Sequence, residues 1–205
     1  MTKNLTPHIR IAQLKDAEII ALIHVHSWQK MYKEFIPETI LKDLSLKDRT
    51  QQWHDLLKKE VKVFLIEIAN QTVGFVSISP FHEGNTDSLM GEISALYLQP
   101  DYWHMGLGAK LCLAALAELA NQGYKKVFLW VLEANAQARR FYEALGFVGT
   151  TSTKLKEFYE GSALLQEILY EYPALQENIS KKLCQDYPLS VLLEPMPNVW
   201  EEESN

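Results

Sequence analysis

The sequence predicts an α+β fold that contains a mixed sheet. Residues 13–60 carry apolar side chains at helical spacing, whereas Val61–Ile68 and Thr72–Ile78 are β-branched runs separated by the turn-prone pair Asn70 and Gln71. Such runs indicate an antiparallel hairpin. Further along, a helical segment lies between the apolar strands 89–98 and 127–131, and a helical crossover of this kind joins parallel strands. The sheet is therefore expected to contain both kinds of strand pairing.

The first sixty residues are predicted to form one strand and three helical pieces. Ile9–Ala12 has strand character, and Asp16 is typical of an N-cap for the apolar helix that follows. Pro37 begins a second helical piece, and Ser45 followed by Asp48 resembles a capping box for a third.

The C-terminal half continues with alternating helices and strands. One helix begins at the glycine pair Gly106 and Gly108 and ends near Gly123, and another, 135–145, stops at Gly146 because glycine favours the left-handed conformation that ends helices. Three further elements are predicted: strands at 147–154 and 164–171, and a helix at 176–185.

The composition indicates one main globular domain and excludes several classes of protein. The 205 residues are 47% hydrophobic and carry a net charge of −6, which disfavours a surface that coats the phosphates of nucleic acid. The two cysteines, Cys112 and Cys184, lie far apart and indicate neither a disulfide framework nor a metal cluster. The amino terminus lacks a signal-peptide core, and no stretch reaches the roughly 18 apolar residues of a membrane span, so a cytoplasmic protein without membrane contact is expected.

A short glycine motif follows the strand 89–98 and opens a helix. Pro100 stops the strand because proline has no N–H for the ladder, and Gly106, Gly108 and Ala109 leave the first-turn amides of the helix uncovered. Those N–H groups and the positive end of the helix dipole suit a phosphate. A turn of small residues that only allows close helix packing predicts the same pattern, so the motif alone does not decide.

Two better-known phosphate motifs do not fit this segment. The dinucleotide fingerprint requires a third glycine where this chain has Leu111. A P-loop requires a Gly-Lys-Ser/Thr run, whereas Lys110 is followed by Leu111 and preceded by Ala109. Neither a Rossmann site nor a P-loop is predicted.

The helix at 135–145 carries a second candidate group on one face. Asn135, Ala138, Arg139 and Tyr142 stand at positions i, i+3, i+4 and i+7, so they lie along one side of the helix. Asn135 and Tyr142 are then placed to contact a ligand that lies along the helix. Asn135 is equally typical of an N-cap, and a half-buried aromatic would explain Tyr142.

Taken together, these two segments resemble a known family. Leu96–Ala109 and the run LEANAQARRFYEALGF resemble the two cofactor motifs of the GNAT superfamily of acyl-CoA-dependent N-acetyltransferases. The early run HSWQKMYKEFIPETILKDLS, with Arg49 and Trp53, is similar to the amino-terminal helices of one bacterial branch of that superfamily. A domain at 7–172 is therefore predicted, followed by an extension of unknown role at 173–205.

The resemblance implies α/β/α layers around a mainly antiparallel sheet of six to seven strands, in which the fourth and fifth strands splay apart. In the family the pantetheine arm of acetyl-CoA inserts between them, and a loop patterned Arg/Gln-x-x-Gly-x-Gly/Ala wraps the pyrophosphate. Trp103 stands where Arg or Gln is usual. The implied cofactor contacts are Leu96, Tyr97, Leu98, Trp103, His104, Met105, Gly106, Leu107, Gly108, Ala109, Asn135, Ala138, Arg139 and Tyr142.

The resemblance also implies the chemistry. A primary amine with a pKa of about 10.4 is neutral in only a few molecules per ten thousand at pH 7, so attack on a thioester benefits from a base. Glu92, six residues before Leu98, stands at the spacing of a catalytic glutamate in some family members, and Tyr142 matches the tyrosine beside the thioester sulfur. The Leu98 amide is the expected donor to the thioester carbonyl, and Cys112 is assigned to packing.

The acceptor is expected to be the amine of a small molecule or a peptide. Candidate acceptor-binding residues are Trp28, Tyr32, Phe81 and His82, although each also has a structural interpretation as a core or loop residue. No metal is predicted. A non-catalytic acyl-CoA sensor and an interaction protein on the same fold are the alternatives to an enzyme. The residues after Pro173 would suit either a cover over a sheet edge or contact with a second subunit of a homodimer.

Overall fold

The computed structural model describes residues 6–34, 36–81, 89–158, 163–177 and 179 of the chain. The strands in these residues are β1 (His8–Ile11), β2 (Lys62–Ile68), β3 (Gln71–Pro80), β4 (Met90–Leu98), β5 (Lys126–Leu132), β6 (Val148–Phe158) and β7 (Ala163–Tyr172). The helices are α1 (Ala17–Met31), α2 (Glu38–Lys42), α3 (Leu46–Lys58), α4 (Leu107–Asn121) and α5 (Ala136–Leu145), with single 3₁₀ turns at Leu14–Asp16 and Pro100–Tyr102.

These strands form one seven-stranded sheet in the order β1-β2-β3-β4-β5-β7-β6. The pair β4–β5 is parallel, and the other five pairs are antiparallel. Side chains of α1 and α3 pack on one face of the sheet against residues such as Leu65 and Phe75, whereas α4 packs on the other face against Ile66 and Val76. This confirms the α+β class and the three-layer arrangement.

Local signals in the sequence explain several element boundaries. The Ser45 hydroxyl accepts the Asp48 N–H and begins α3, as expected of an N-cap. Ala69 and Asn70 both have positive φ, which gives the two-residue hairpin turn that matches the twist of β2 and β3. The turn lies one residue earlier than predicted, because Gln71 already belongs to β3.

Asp16 has a different role from the predicted one. It occupies the N-cap position of α1, but its side chain makes no capping hydrogen bond there. The Asp16 carboxylate instead accepts the Gln13 N–H at 2.7 Å and both terminal nitrogens of Arg10 at 2.8 and 2.9 Å. The carboxylate therefore ties β1 to the turn before the helix, since an acceptor engaged by arginine is not available to the helix end.

The most consequential feature is an opening in the middle of the sheet. β4 and β5 pair only at three rungs, of which Glu92 with Phe128 is the last. Beyond it β4 runs on to Leu98 beside β3, and β5 continues beside β7 without touching β4. Ser94 is exposed although it lies in a central strand, because the neighbouring strand has moved away. The expected splay of the fourth and fifth strands is confirmed.

The described part of the C-terminal tail ends at residue 179. Most of the predicted helix at 176–185, and the rest of the tail after it, lies outside the described residues. No helix in the part of the chain that the structure describes is long and apolar enough to cross a membrane.

Candidate active site

A cavity of about 570 Å³ runs through the opening between β4 and β5. Its walls come from β4 and β5, from the turn before α4, from the first turns of α5, and from the C-terminal half of α1. The cavity therefore reaches both faces of the sheet. It joins a region near the α4 and α5 helix ends to a region of aromatic and charged side chains beneath α1.

On the β4 side the wall is made of peptide groups. The Gln99 N–H donates to the Val73 carbonyl at 2.8 Å, which fixes the alternation of hydrogen bonds between β3 and β4. Tyr97 belongs to the set that bonds to β3, so the peptide groups of Leu96 and Leu98 point the other way, into the opening. An extended ligand can add to this edge as a strand would.

The turn before α4 presents a second set of backbone donors. Gly106 caps the helix with φ of 76°, His104 also has a left-handed φ of 61°, and no side chain caps the helix end. The first intrahelical bond runs from the Lys110 N–H to the Gly106 carbonyl, so the N–H groups before Lys110 have no acceptor within the helix. These donors, together with the helix dipole, suit a pyrophosphate.

Small residues keep this helix end accessible. A Cβ on Gly106 would meet nothing within 4 Å, whereas a Cβ on Gly108 would lie 3.4 Å from both Leu98 and Phe141. Gly108 therefore lets the helix approach β4 and α5 closely, and Gly106 leaves open space above the turn. Gly108 therefore fits the close-packing interpretation of the glycine pair, and Gly106 fits the interpretation as an open anion site.

Trp103, the departure from the family pattern, has a clear structural contact. Its indole N–H donates to the Leu98 carbonyl at 2.9 Å, and the Ser27 hydroxyl donates to the same oxygen at 2.8 Å. Two donors thus hold the end of β4 against the turn and α1. The Leu98 carbonyl is engaged, which leaves the Leu98 N–H as the group that this residue offers to a ligand.

The N-terminus of α5 is finished by its own side chain. The Asn135 Oδ1 atom accepts the Ala138 N–H at 3.0 Å, so the N-cap interpretation of Asn135 applies. The Asn135 amide nitrogen lies 3.1 Å from the Met31 sulfur and donates to it, which links α5 to α1. Asn135 and Ala138 both line the cavity, but the first turn of α5 has less capacity for an anion than that of α4.

Tyr142 lines the cavity on the second turn of α5. Its ring packs edge-on against Phe141 and Phe147, and among the described residues the structure gives its hydroxyl no hydrogen-bond partner. Burial raises the pKa of Tyr142 well above its ordinary value, with smaller contributions from Cys112 and Tyr97. The hydroxyl therefore keeps its proton at neutral pH and can donate it.

Glu92 also lines the cavity, at the vertex where β4 and β5 separate. Its direct neighbours in the sheet are Ser79 on β3 and Phe128 on β5. The Glu92 side chain is partly buried. It therefore lies on the cavity wall where the opening between β4 and β5 begins.

On the other face of the sheet, aromatic side chains form the floor of the cavity. The Trp28 indole N–H donates to the Tyr97 hydroxyl at 2.9 Å, and the Tyr32 and Tyr97 hydroxyls also hydrogen-bond. Burial raises the pKa of Tyr97 and of Tyr32. His24 stacks on Tyr97 at 4.6 Å between ring centroids and accepts the Trp53 indole N–H at Nδ1. Burial lowers the pKa of His24 to about 3, so this residue is a neutral core histidine.

Several predicted site residues are not brought to the cavity. Arg139 turns away: its guanidinium donates to the Tyr170 hydroxyl and to the Glu133 carbonyl, and Arg140 lines the cavity instead. Phe81 stacks on Phe128 in a separate apolar cluster. The structure thus corrects the expected placement of Arg139 and Phe81.

The remaining candidate residues differ in whether they line the cavity. Leu107 is a core residue of α4, and Met105 is exposed beside the turn, so neither side chain lines the cavity. His82 lies outside the described residues. The predicted residues that do line the cavity are Trp28, Tyr32, Glu92, Leu96, Tyr97, Leu98, Trp103, His104, Gly106, Gly108, Ala109, Asn135, Ala138 and Tyr142.

Sequence reasoning missed a charged group on the far wall. Glu167 of β7 is 6% exposed and lines the cavity with Lys154 and Lys156 of β6 and with Trp130 of β5. Each of these residues comes from a strand that carries no recognised motif. A signal was present, because Glu167 interrupts the apolar run of β7 at a position that faces the core.

Comparison with known proteins assigns the family. Residues 27–147, more than half of the chain, match the acetyltransferase (GNAT) family model. The chain belongs to the GNAT family of acetyltransferases. As a GNAT N-acetyltransferase it takes the acetyl group from acetyl-CoA, which confirms the expected activity class and cofactor.

Similar GNAT sequences include both uncharacterised and named proteins. An uncharacterised N-acetyltransferase of Bacillus subtilis, YuaI, is 32% identical over 66% of this chain and 77% of its own length. The mycothiol acetyltransferase of Thermobispora bispora is 39% identical, but the match spans 52% of this chain and 35% of that protein. The chain thus matches only about a third of that longer enzyme.

Solved GNAT structures share the fold. PaiA N-acetyltransferase of Thermoplasma acidophilum, solved with coenzyme A, superposes with a TM-score of 0.62 at 18% identity and covers 82% of this chain and 99% of that one. YncA, a putative acetyltransferase of Salmonella typhimurium solved with acetyl-CoA, gives a TM-score of 0.62 at 18% identity over 84% of this chain and 95% of that one. At such identities the likeness concerns the fold alone.

Proposed function

We propose that this chain moves the acetyl group of acetyl-CoA to the primary amine of a small molecule or a protein by direct attack while both are bound. The observation that carries this proposal is the opening beyond the rung of Glu92 and Phe128, which exposes peptide groups of β4 beside a helix end without a cap. Acetyl-CoA supplies an activated acyl carbon in a thioester. The N–C bond of the amide forms at that carbon as its C–S bond breaks.

The backbone is proposed to hold the donor. The Leu96 and Leu98 peptide groups offer strand-like hydrogen bonds, and the uncapped first turn of α4 offers N–H groups to the pyrophosphate. The Leu98 N–H is also proposed to stabilise negative charge on the thioester oxygen. Because these contacts use peptide groups, the Trp103 substitution in the family pattern does not remove them.

Two side chains are proposed to move protons. Tyr142 keeps its hydroxyl proton because burial raises its pKa, and it can donate that proton to the departing thiolate. Glu92, at the vertex of the opening, is proposed to accept the proton that the amine loses, directly or through water. No covalent enzyme intermediate is required, and Cys112 is fully buried in the core.

The finer expectations about partners and location stay predictions. The domain at 7–172, the cytoplasmic location and a homodimer that uses the residues after Pro173 all belong to this group. Size-exclusion chromatography coupled to light scattering, on the full chain and on a chain ending at residue 179, would measure the oligomeric state. A dimer that persists in the shorter chain would contradict the proposed role of the tail.

The decisive experiment measures release of the coenzyme A thiol. The purified chain is mixed with acetyl-CoA and a panel of amines that includes amino acids, polyamines and short peptides, and the products are identified by mass spectrometry. At least one amine should accelerate thiol release and gain an acetyl group. Tight acetyl-CoA binding by calorimetry without acceleration by any amine would contradict the proposal and favour a non-catalytic acyl-CoA sensor.

A further inference from the structure

An acidic side chain and two lysines meet at the far wall of the cavity. Lys154 on β6 is the direct cross-strand partner of Glu167 on β7, and Lys156 follows two residues later on the same face. All three side chains line the cavity. We call Lys154, Lys156 and Glu167 the charged cluster.

Within the charged cluster, only one oxygen of the Glu167 carboxylate is closely paired. The Lys156 ammonium lies 3.5 Å from Glu167 Oε1, and the Lys154 ammonium lies 4.0 Å from Glu167 Oε2. The Lys154 ammonium is also 3.9 Å from the centre of the Trp130 ring. Glu167 Oε2 is buried, and within the described ranges no group donates a hydrogen bond to it. A buried carboxylate oxygen without a donor is unfavourable, so a ligand N–H at this point would be stabilising.

The sheet register places the charged cluster close to the proposed reaction centre. Counted from the last paired rung of β4 and β5, and with the bulge of β4 between Ile93 and Ala95 included, the parallel register brings Tyr97 to the level of Leu132 across the opening. Leu132 is in turn the direct partner of Glu167 on the next strand. Glu167 thus lies one strand beyond the opening, at the same level as the peptide groups proposed to hold the donor.

Charges of both signs line this end of the cavity. Two ammonium groups stand beside the single carboxylate of the charged cluster, which repels a polycationic acceptor. An acceptor with only an amine would add nothing at Lys154 and Lys156. An acceptor with an amine and a nearby carboxylate complements both signs, because its N–H groups meet Glu167 while its carboxylate meets the lysines.

We propose that the acceptor is a small compound that carries a primary amine and a carboxylate on the same carbon, as a free α-amino acid does, and that the charged cluster binds it. This inference rests on the proposed acetyltransferase function. The rings of Trp28, Tyr32 and Trp130 line the same end of the cavity and suit an aromatic or aliphatic side chain. The products are the N-acetyl amino acid and the coenzyme A thiol, with the amine proton passed to the proposed base.

Matched acceptors test this proposal on the unmodified enzyme. L-phenylalanine is compared with L-phenylalaninamide and phenethylamine, and L-leucine with L-leucinamide and isoamylamine, by the rate of thiol release. In at least one series kcat/KM should be about tenfold or more higher for the free amino acid, the difference that a charge-assisted contact provides. Equal or faster turnover of the amides and decarboxylated amines in both series would overturn the proposal. Exclusive turnover of polyamines or peptides would also overturn it.

Variants of the charged cluster test the assignment of each charge. The double variant Lys154→Gln/Lys156→Gln should lose the preference for the carboxylate, so kcat/KM for the free amino acid should fall toward the value for the matched decarboxylated amine in the same variant. Glu167→Gln should raise KM for every amine by about tenfold or more, because it weakens a charge-assisted contact, and leave the acetyl-CoA dissociation constant unchanged. Glu171→Gln and Lys126→Gln are the controls, since this pair joins β7 to β5 at 2.9 Å outside the cavity.

The results of these experiments distinguish a failure of the amino-acid acceptor proposal from a failure of the proposed acetyltransferase function. Unchanged KM values in a Glu167→Gln variant with an unaltered melting temperature would overturn the role of Glu167. If that variant fails to fold, the matched acceptors and the lysine variant still decide. Turnover without preference for a carboxylate defeats only this proposal, whereas acetyl-CoA binding without turnover of any amine defeats the proposed function itself.

Discussion

The two halves of the cavity are built from different parts of the chain. The half that we propose to bind acetyl-CoA, the cofactor half, consists of peptide groups at Leu96, Leu98 and the first turn of α4. The acceptor half consists of side chains from α1, β4, β5, β6 and β7: Trp28, Tyr32, Tyr97, Trp130, Lys154, Lys156 and Glu167. A half built from peptide groups keeps its ligand when side chains are substituted, unless the new side chain adds bulk or charge. In a half built from side chains, each substitution can change which ligand is preferred.

Within the cofactor half, the first turns of α4 and α5 differ in whether a side chain satisfies their backbone N–H groups. Both helices begin at the cavity wall. Gly106 leaves the first turn of α4 without a side-chain acceptor, whereas Asn135 occupies the first turn of α5 with its own amide oxygen. One helix end can therefore take a ligand anion, and the other is already satisfied by the protein.

The largest effect is expected when a carboxylate is placed at the open end. Gly106→Asp puts a negative charge where a Cβ meets nothing within 4 Å, so the side chain fits but repels the pyrophosphate. Acetyl-CoA affinity should fall about a hundredfold or more, since like charges a few ångströms apart cost several kcal/mol near a protein surface. Isothermal titration calorimetry measures this change.

Gly106→Asn is the matched control for that experiment. Asparagine has nearly the same shape as aspartate and also tolerates the left-handed φ of 76°, but it carries no charge. Its acetyl-CoA affinity should stay much closer to that of the unmodified chain. An equal loss in both variants would show that space rather than charge governs this end of the helix.

The next effect concerns the one side chain of α5 that is proposed to act in chemistry. Tyr142→Phe removes the hydroxyl but keeps the ring packing against Phe141 and Phe147, so kcat should fall about tenfold to a hundredfold while acetyl-CoA affinity is retained. Tyr124→Phe, at a core tyrosine outside the cavity, is the control. Steady-state kinetics with saturating acetyl-CoA measures both. An unchanged kcat would remove Tyr142 from the mechanism.

A pH effect on stability should come from the floor of the acceptor half. Burial lowers the pKa of His24 to about 3 in the folded chain, so below pH 6.5 the unfolded chain binds a proton that folded His24 does not. The stability that this residue contributes is present above pH 6.5 and is lost as the pH falls toward 3. Its loss amounts to about 1.4 kcal/mol per pH unit.

Urea unfolding between pH 7.5 and 4.5 tests this linkage. His24→Gln keeps an acceptor for the Trp53 indole N–H but cannot titrate in this range. The difference in unfolding free energy between the variant and the unmodified chain should therefore change with pH in favour of the variant at low pH. Parallel profiles for the two proteins would contradict a buried neutral histidine.

The smallest effect should come from the satisfied helix end. Asn135→Ala removes the acceptor of the Ala138 N–H and should lower the free energy of unfolding by about 1 kcal/mol. Acetyl-CoA affinity should change little, because the capping oxygen faces the protein's own backbone. A large loss of affinity without a loss of stability would indicate that Asn135 contacts the cofactor, as the family resemblance implies.

The same contrast explains how far the sequence could be interpreted. Local patterns located the segments of the cofactor half, and the family resemblance assigned them to a cofactor. The patterns are a proline that ends a strand, glycines that uncover a helix end, and polar residues one helical turn apart. These patterns act within about twenty residues, so Leu96–Ala109 and the α5 motif could be located without a structure. The fold class followed from the same local periodicities.

The acceptor half could not be predicted in this way. Lys154 and Glu167 meet because β6 and β7 pair in one particular register, which depends on turn length and on irregular pairing between Gly149 and Thr153. Arg139 was misplaced for a related reason, because its helical spacing matched Tyr142 but Tyr170 on β7 captures its guanidinium. Contacts between distant strands decide these positions, and no local pattern encodes them.

Tryptophans lie at both ends of the cavity, so their fluorescence can report ligand binding at each end. Of the five tryptophans in the chain, Trp103 lines the wall beside the α4 turn, and Trp28 and Trp130 line the opposite end. Quenching by a nucleotide at the α4 turn should therefore come from Trp103, and a change of emission caused by an amine should come from Trp28 and Trp130. A variant with phenylalanine at Trp28 and Trp130 would keep Trp103 to report the nucleotide. A variant with phenylalanine at Trp103 would keep Trp28 and Trp130 to report the amine.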